Sequence, residues 1–167
     1  MNAQHMTLIS GWMLAASTVF GQGITTPAAP TITVLSAPTG GLVRSEGPGN
    51  ASLDLGKVSY YRGASTPGES SKKTSTSLVI STRFALKVDC PRSALSSRVN
   101  VTMLRTDAAA THAMAIDGIK LGTAPRPLTE SMSCGSSSEH RLDVEVPVTT
   151  PAGPIESNVA FEATLRK

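Results

Sequence analysis

Residues Ser77–Cys90 read SLVISTRFALKVDC. Phe84, Leu86 and Val88 alternate there with Arg83, Ala85, Lys87 and Asp89. A period of two puts the three large apolar side chains on one face and the charges on the other, which predicts a half-buried β-strand. Pro91 has no amide hydrogen to offer a ladder and marks the end of the strand.

The same period recurs on both sides of this stretch. Arg98–Leu104 alternates through Val99, Val101 and Met103. Arg141–Val148 (RLDVEVPV) alternates through Leu142, Val144, Val146 and Val148, and Asn158–Lys167 (NVAFEATLRK) through Val159, Phe161, Ala163 and Leu165. Upstream, Leu53 and Leu55 share a face in Ala51–Tyr61 (ASLDLGKVSYY), and Val58 joins them if Gly56 makes a bulge. Asp117-Gly118 between Ile116 and Ile119 is a hairpin-turn signal. Strands of this length between Gly and Pro turns predict an all-β chain, folded as an antiparallel β-sandwich. The expected core strand residues are Leu53, Leu55, Phe84, Leu86, Val88, Val144, Val146 and Phe161.

The remaining segments read as connections. Residues 62–77 form a polar loop, Pro125 and Pro127 break the chain, SMSCGSSSE is a loop or edge segment, and Thr149–Ser157 is a turn region. Ala108–Met114 is the one stretch of helix-forming composition.

Composition bounds the function classes. The 167 residues are 40% apolar and 16% charged, which suits one domain with a real core rather than a charged disordered chain. Fifteen basic against 12 acidic residues give a net charge of +3. The basic residues are scattered, with adjacent pairs only at Lys72-Lys73 and Arg166-Lys167, so no nucleic-acid footprint is expected.

Met6–Phe20 (MTLISGWMLAASTVF) is uncharged and apolar or small, too short to span a bilayer and suited to a secretory h-region. The expected organisation is a signal peptide over 1–21, a flexible extension over 22–50 with a short strand at 31–35, and a sandwich over 51–167. The chain is then exported to the periplasm, the cell surface or the medium, and the mature part has no membrane span. A buried first helix is the competing reading of the same segment. Two cysteines in an exported chain are expected to pair, Cys90 with Cys134. In a cytosolic chain they would be free thiols.

Leu53–Val58, Phe84–Cys90, Val144–Val148, Thr150–Gly153 and Asn158–Leu165, taken in order, resemble bacterial pilus subunits of the chaperone–usher class and related pilin-like β-sandwiches. The resemblance implies an immunoglobulin-like, pilin-like sandwich that lacks a strand, completed by an alternating extension from the next subunit. Thr31–Leu35 would be that donor, with Ile32 and Val34 as its plugs. The implied partners are other subunits, through strand edges, and a periplasmic chaperone. A sandwich completed by its own Thr31–Leu35 is the alternative, working as a binding module for a protein or glycan. A small extracytoplasmic enzyme is the remote third.

Catalytic patterns are weak. Ser70-Ser71-Lys72-Lys73 satisfies S-x-x-K without its companion motifs. There is no G-x-S-x-G elbow, P-loop or dinucleotide fingerprint. Cys90, Cys134, His112 and His140 lack the local spacing of a zinc site, so a disulfide and two surface histidines are expected. Asp143 and Glu145 share a solvent face. Asn50-Ala51-Ser52 and Asn100-Val101-Thr102 match the N-glycosylation sequon. The expectation is a non-catalytic chain with no cofactor and no metal.

Overall fold

The computed structural model describes residues 28–36, 43–64, 70–107 and 112–166. The expected signal segment lies outside them. The strands are β1 (Thr31–Ser36), β2 (Val43–Ser45), β3 (Asn50–Ser59), β4 (Gly63–Ala64), β5 (Ser70–Lys73) and β6 (Ser77–Asp89). After a 3-10 turn at Arg92–Ala94 come β7 (Arg98–Arg105), β8 (Ala113–Ile116), β9 (Ile119–Lys120), β10 (Arg126–Ser133), β11 (Ser137–Pro147) and β12 (Gly153–Leu165).

These strands make two antiparallel sheets packed face to face. One has the order β1-β6-β11-β8-β9, with β5 also on β6. The other has the order β10-β7-β12-β3-β2, with β4 on β3. The chain is an all-β sandwich. β3 and β6, β6 and β7, β10 and β11, and β11 and β12 lie in opposite sheets, whereas β7 and β10 pair within one.

Inward parity fills the core. Leu86 and Val88 of β6, Val144 and Val146 of β11, Leu53 and Leu55 of β3 and Phe161 of β12 are all buried. Phe84 and Phe161 meet across the sheets with ring centroids 5.8 Å apart, an offset aromatic contact that adds to their burial. Val58 reaches the same core because Lys57 pairs with Pro154 and Asp54 with Glu156, which leaves Leu55 and Gly56 opposite Ile155 alone. That is a β-bulge, and Gly56 takes its left-handed φ of 59° without a Cβ clash.

Cys90 and Cys134 form a disulfide with Cα atoms 5.5 Å apart. It ties the end of β6 in one sheet to the turn after β10 in the other. In the chain-entropy model a 44-residue closure contributes about 4 kcal/mol.

Several connections are more regular than their composition suggests. The polar segment 62–77 contains β4 and the exposed edge strand β5. Pairing with β6 makes SSKK a strand despite its composition, because position on a ladder overrides propensity. Pro127 lies inside β10, where an edge position and register shifts accommodate it. β12 starts at Gly153, so most of the expected turn 149–157 is strand. Of the helix-like stretch, 113 and 114 belong to β8 and 108–111 lie outside the described residues. The short strand expected at 31–35 is β1 of the first sheet, and residues 43–45, expected in a flexible extension, are a strand of the second.

Candidate functional site

The hairpin that links β3 to β4 carries Tyr61, the most exposed large hydrophobic side chain among the described residues. Val58 anchors its base in the core. Tyr60 is half-buried and donates its hydroxyl hydrogen bond to the Thr74 carbonyl, which pins the hairpin to the turn before β6. The Lys73 ammonium sits 4.4 Å from the Tyr60 ring centroid and 5.3 Å from that of Tyr61, within cation–π range. Tyr61 stands edge-on to Tyr60 and is 79% exposed. Arg62 follows it, exposed and without a hydrogen bond or ion pair among the described residues.

Beside this tip lies an open cleft of about 500 Å³ lined by residues 57–59, 62–64 and 152–154, which sit on neighbouring strand ends. Lys57 and Arg62 are its charged lining residues, and Ala64, Ala152 and Pro154 supply apolar surface. Ideal Cβ atoms built on Gly63 and Gly153 would meet nothing within 4 Å, so both backbones border open space. Composition did not reveal the cleft, because its walls come from two stretches far apart in sequence that β3–β12 pairing joins. A smaller cleft of about 210 Å³ borders Thr82 and Arg83, the part of β6 between the pairings to β1 and β5. There Arg141 is already engaged by Ser81 and Asp143.

No family model matches the chain, and no curated protein matches its sequence.

The two histidines expected at the surface are buried. His140 faces inward at the same parity as Leu142, Val144 and Val146. Its Nδ1 lies 2.7 Å from Asp117 Oδ2 and its Nε2 lies 2.7 Å from Ser138 Oγ. Asp117 also accepts the Arg141 amide at 2.8 Å. The order Ser–His–Asp is that of a nucleophile array, yet Ser138 Oγ lies 3.8 Å from Met132 Sδ at the edge of the core. The array fastens β11 to the turn after β8.

His112 belongs to a second network, around Arg105. The guanidinium donates to Asp107 at 2.8 Å, to the His112 carbonyl at 2.7 Å and to Ser157 Oγ at 3.0 Å. It also lies 2.9 Å from His112 Nε2. Arginine has no acceptor, so this ring nitrogen accepts and the imidazole is neutral. Burial, and then the adjacent Arg105 charge, hold the His112 pKa below its ordinary value. Burial alone would raise the pKa of Asp107, but hydrogen bonds from Arg105 and Ser157, with the Arg105 charge, bring it below the ordinary carboxylate value.

The remaining expected site residues fall as follows. Ile32 and Val34 are each 3% exposed, and both face the chain's own core from β1. Asp143 and Glu145 point away from the core, with Asp143 taken by Ser81 and Arg141. Asn50 is exposed at the start of β3, whereas Asn100 accepts the Ser131 amide through Oδ1 at 3.1 Å. Among the described residues no His, Cys, Asp and Glu group could hold a metal ion. No helix among them is long and apolar enough to cross a membrane.

Proposed function

We propose that the chain is a non-catalytic, extracytoplasmic β-sandwich that completes its own fold and serves as a binding module. One observation carries the reading. The strand that would be donated to a neighbour, β1, pairs with β6 of its own chain from Thr31↔Asp89 to Ser36↔Phe84. Its two plugs, Ile32 and Val34, are buried at home. Burying them contributes about 1.5–3 kcal/mol each, and the ladder satisfies backbone groups that an open groove would leave bare. Work outside the cytoplasm is supported by the Cys90–Cys134 bond and by the apolar segment Met6–Phe20.

A structural or adhesive subunit that assembles by strand addition is the second reading. It is favoured by the place of β1, an edge strand bonded to β6 alone in its sheet. Such a strand can exchange with that of a second copy at little net energetic change.

Association separates the two. The oxidised chain, recovered from the periplasm of an expressing bacterium, is run by size exclusion and on unheated and heated denaturing gels. The module reading expects a monomer at high concentration that refolds alone, and a marked loss of stability when Ile32 and Val34 both become Asp. A ladder that survives detergent until heating, and vanishes in that double variant, would overturn it in favour of strand exchange.

A further inference from the structure

The cleft beside the β3–β4 hairpin has a recognisable ligand chemistry. Its charged lining residues among the described ones, Lys57 and Arg62, are both cations, and no acidic residue among the described residues lines it. Arg62 presents a planar guanidinium free of partners among the described residues, a group matched to two carboxylate oxygens at once. The rest of the wall is small and apolar, with bare backbone at Gly63 and Gly153, so a ring can approach the main chain closely. The neighbouring residue Tyr61 offers an exposed aromatic face held by Tyr60 and Lys73.

We infer that this cleft binds an acidic sugar, with its carboxylate on Arg62 and its ring against the wall of small residues. This deepens the binding-module reading and rests on it. Three features favour a sugar over other anionic ligands. The cleft is open, so a ligand held there keeps its outward hydroxyls in water. Its volume of about 500 Å³ is within the range of small-molecule sites and takes one or two sugar rings. A peptide bound by strand addition needs a continuous ladder, and among the described residues β4, the edge beside the cleft, offers two residues.

The test uses the oxidised full chain and two named probes, a glucuronate disaccharide and its uncharged glucose counterpart. Backbone amide shifts are followed by NMR during each titration. The glucuronate probe should shift residues 57–64 and 152–154, and the glucose probe should bind about tenfold more weakly or less. Arg62→Ala should reduce glucuronate affinity by about tenfold or more. Gly153→Val, which places a strand-compatible side chain in the open space, should block binding while leaving the rest of the spectrum in place.

The inference fails if glucuronate shifts no cleft residue, if both probes bind equally, or if Arg62→Ala binds as well as the parent. The same sample is passed through size exclusion before titration. A monomer that ignores glucuronate overturns this ligand alone. A ladder overturns the module reading itself, whatever the titration shows.

Discussion

Arg105 and His140 occupy comparable places in the two sheets. Arg105 is the last residue of β7, and His140 lies beyond the last β8–β11 pair, Leu142↔Ile116. Both side chains face inward where a neighbouring strand has run out. The solutions differ in charge and in access to water. Arg105 is a permanent cation, and Asp107, His112 and Ser157 surround it. His140 is held between Ser138 and Asp117, and the Asp117 side chain is 41% exposed. A buried partner left unpaired is costly, whereas an exposed one turns to water. The sandwich therefore depends more heavily on the first closure than on the second.

The largest expected effect comes from breaking the Arg105 closure. Arg105→Met keeps most of the volume but strips the donors from Asp107 and His112, and should lower stability by about 3 kcal/mol in urea unfolding. His140→Leu frees Asp117 and Ser138, which can hydrate, and should cost about 1 kcal/mol by the same measurement. Equal losses would end the contrast drawn here.

Acid sharpens the comparison. The pKa of His112 is lowered in the folded state, so the unfolded chain binds the proton first. Its contribution is complete above the ordinary value of 6.5 and declines as pH falls below it. Asp107 is also lowered, so its contribution holds above 3.8 and disappears as pH falls through the folded value. Unfolding midpoints should therefore drop between pH 7 and pH 5. His112→Gln, which keeps an acceptor for Arg105 but does not titrate, should flatten that drop.

The smallest effect concerns Thr82, opposite Leu142 in the ladder that carries His140. Its Oγ1 is buried with no hydrogen-bond partner among the described residues. Thr82→Val removes that orphan at constant shape and should raise stability by about 1 kcal/mol. A loss would mean that the hydroxyl has a partner in solution.

These polar residues also mark where sequence reading stopped. The ladders at 84–88, 142–148 and 159–165 were legible because apolar and polar residues alternate without interruption. Parity alone would have placed the exceptions as well. Arg105 continues Val99, Val101 and Met103, His140 precedes Leu142, Thr82 precedes Phe84, and Ser157 precedes Val159. Residue type argued against burial, and the partners that permit it come from remote segments: Asp117 is 23 residues from His140, and Ser157 is 52 from Arg105. The candidate cleft was hidden for a related reason. Arg62 and Gly153 are unremarkable alone, and only the β3–β12 ladder makes them neighbours.

The positions of the last two strands bear on when this chain can fold. β11 lies between β6 and β8, and β12 lies between β7 and β3. Both sheets thus receive a central strand from residues 137–165, after most of their other strands have been made. Until that stretch is available, β6 has no neighbour but β1 and β5, and β3 is separated from β7. Pairings over such separations are slow to form, because long loops must close first. A chain emerging from a ribosome would keep both sheets open until residues 137–165 were free.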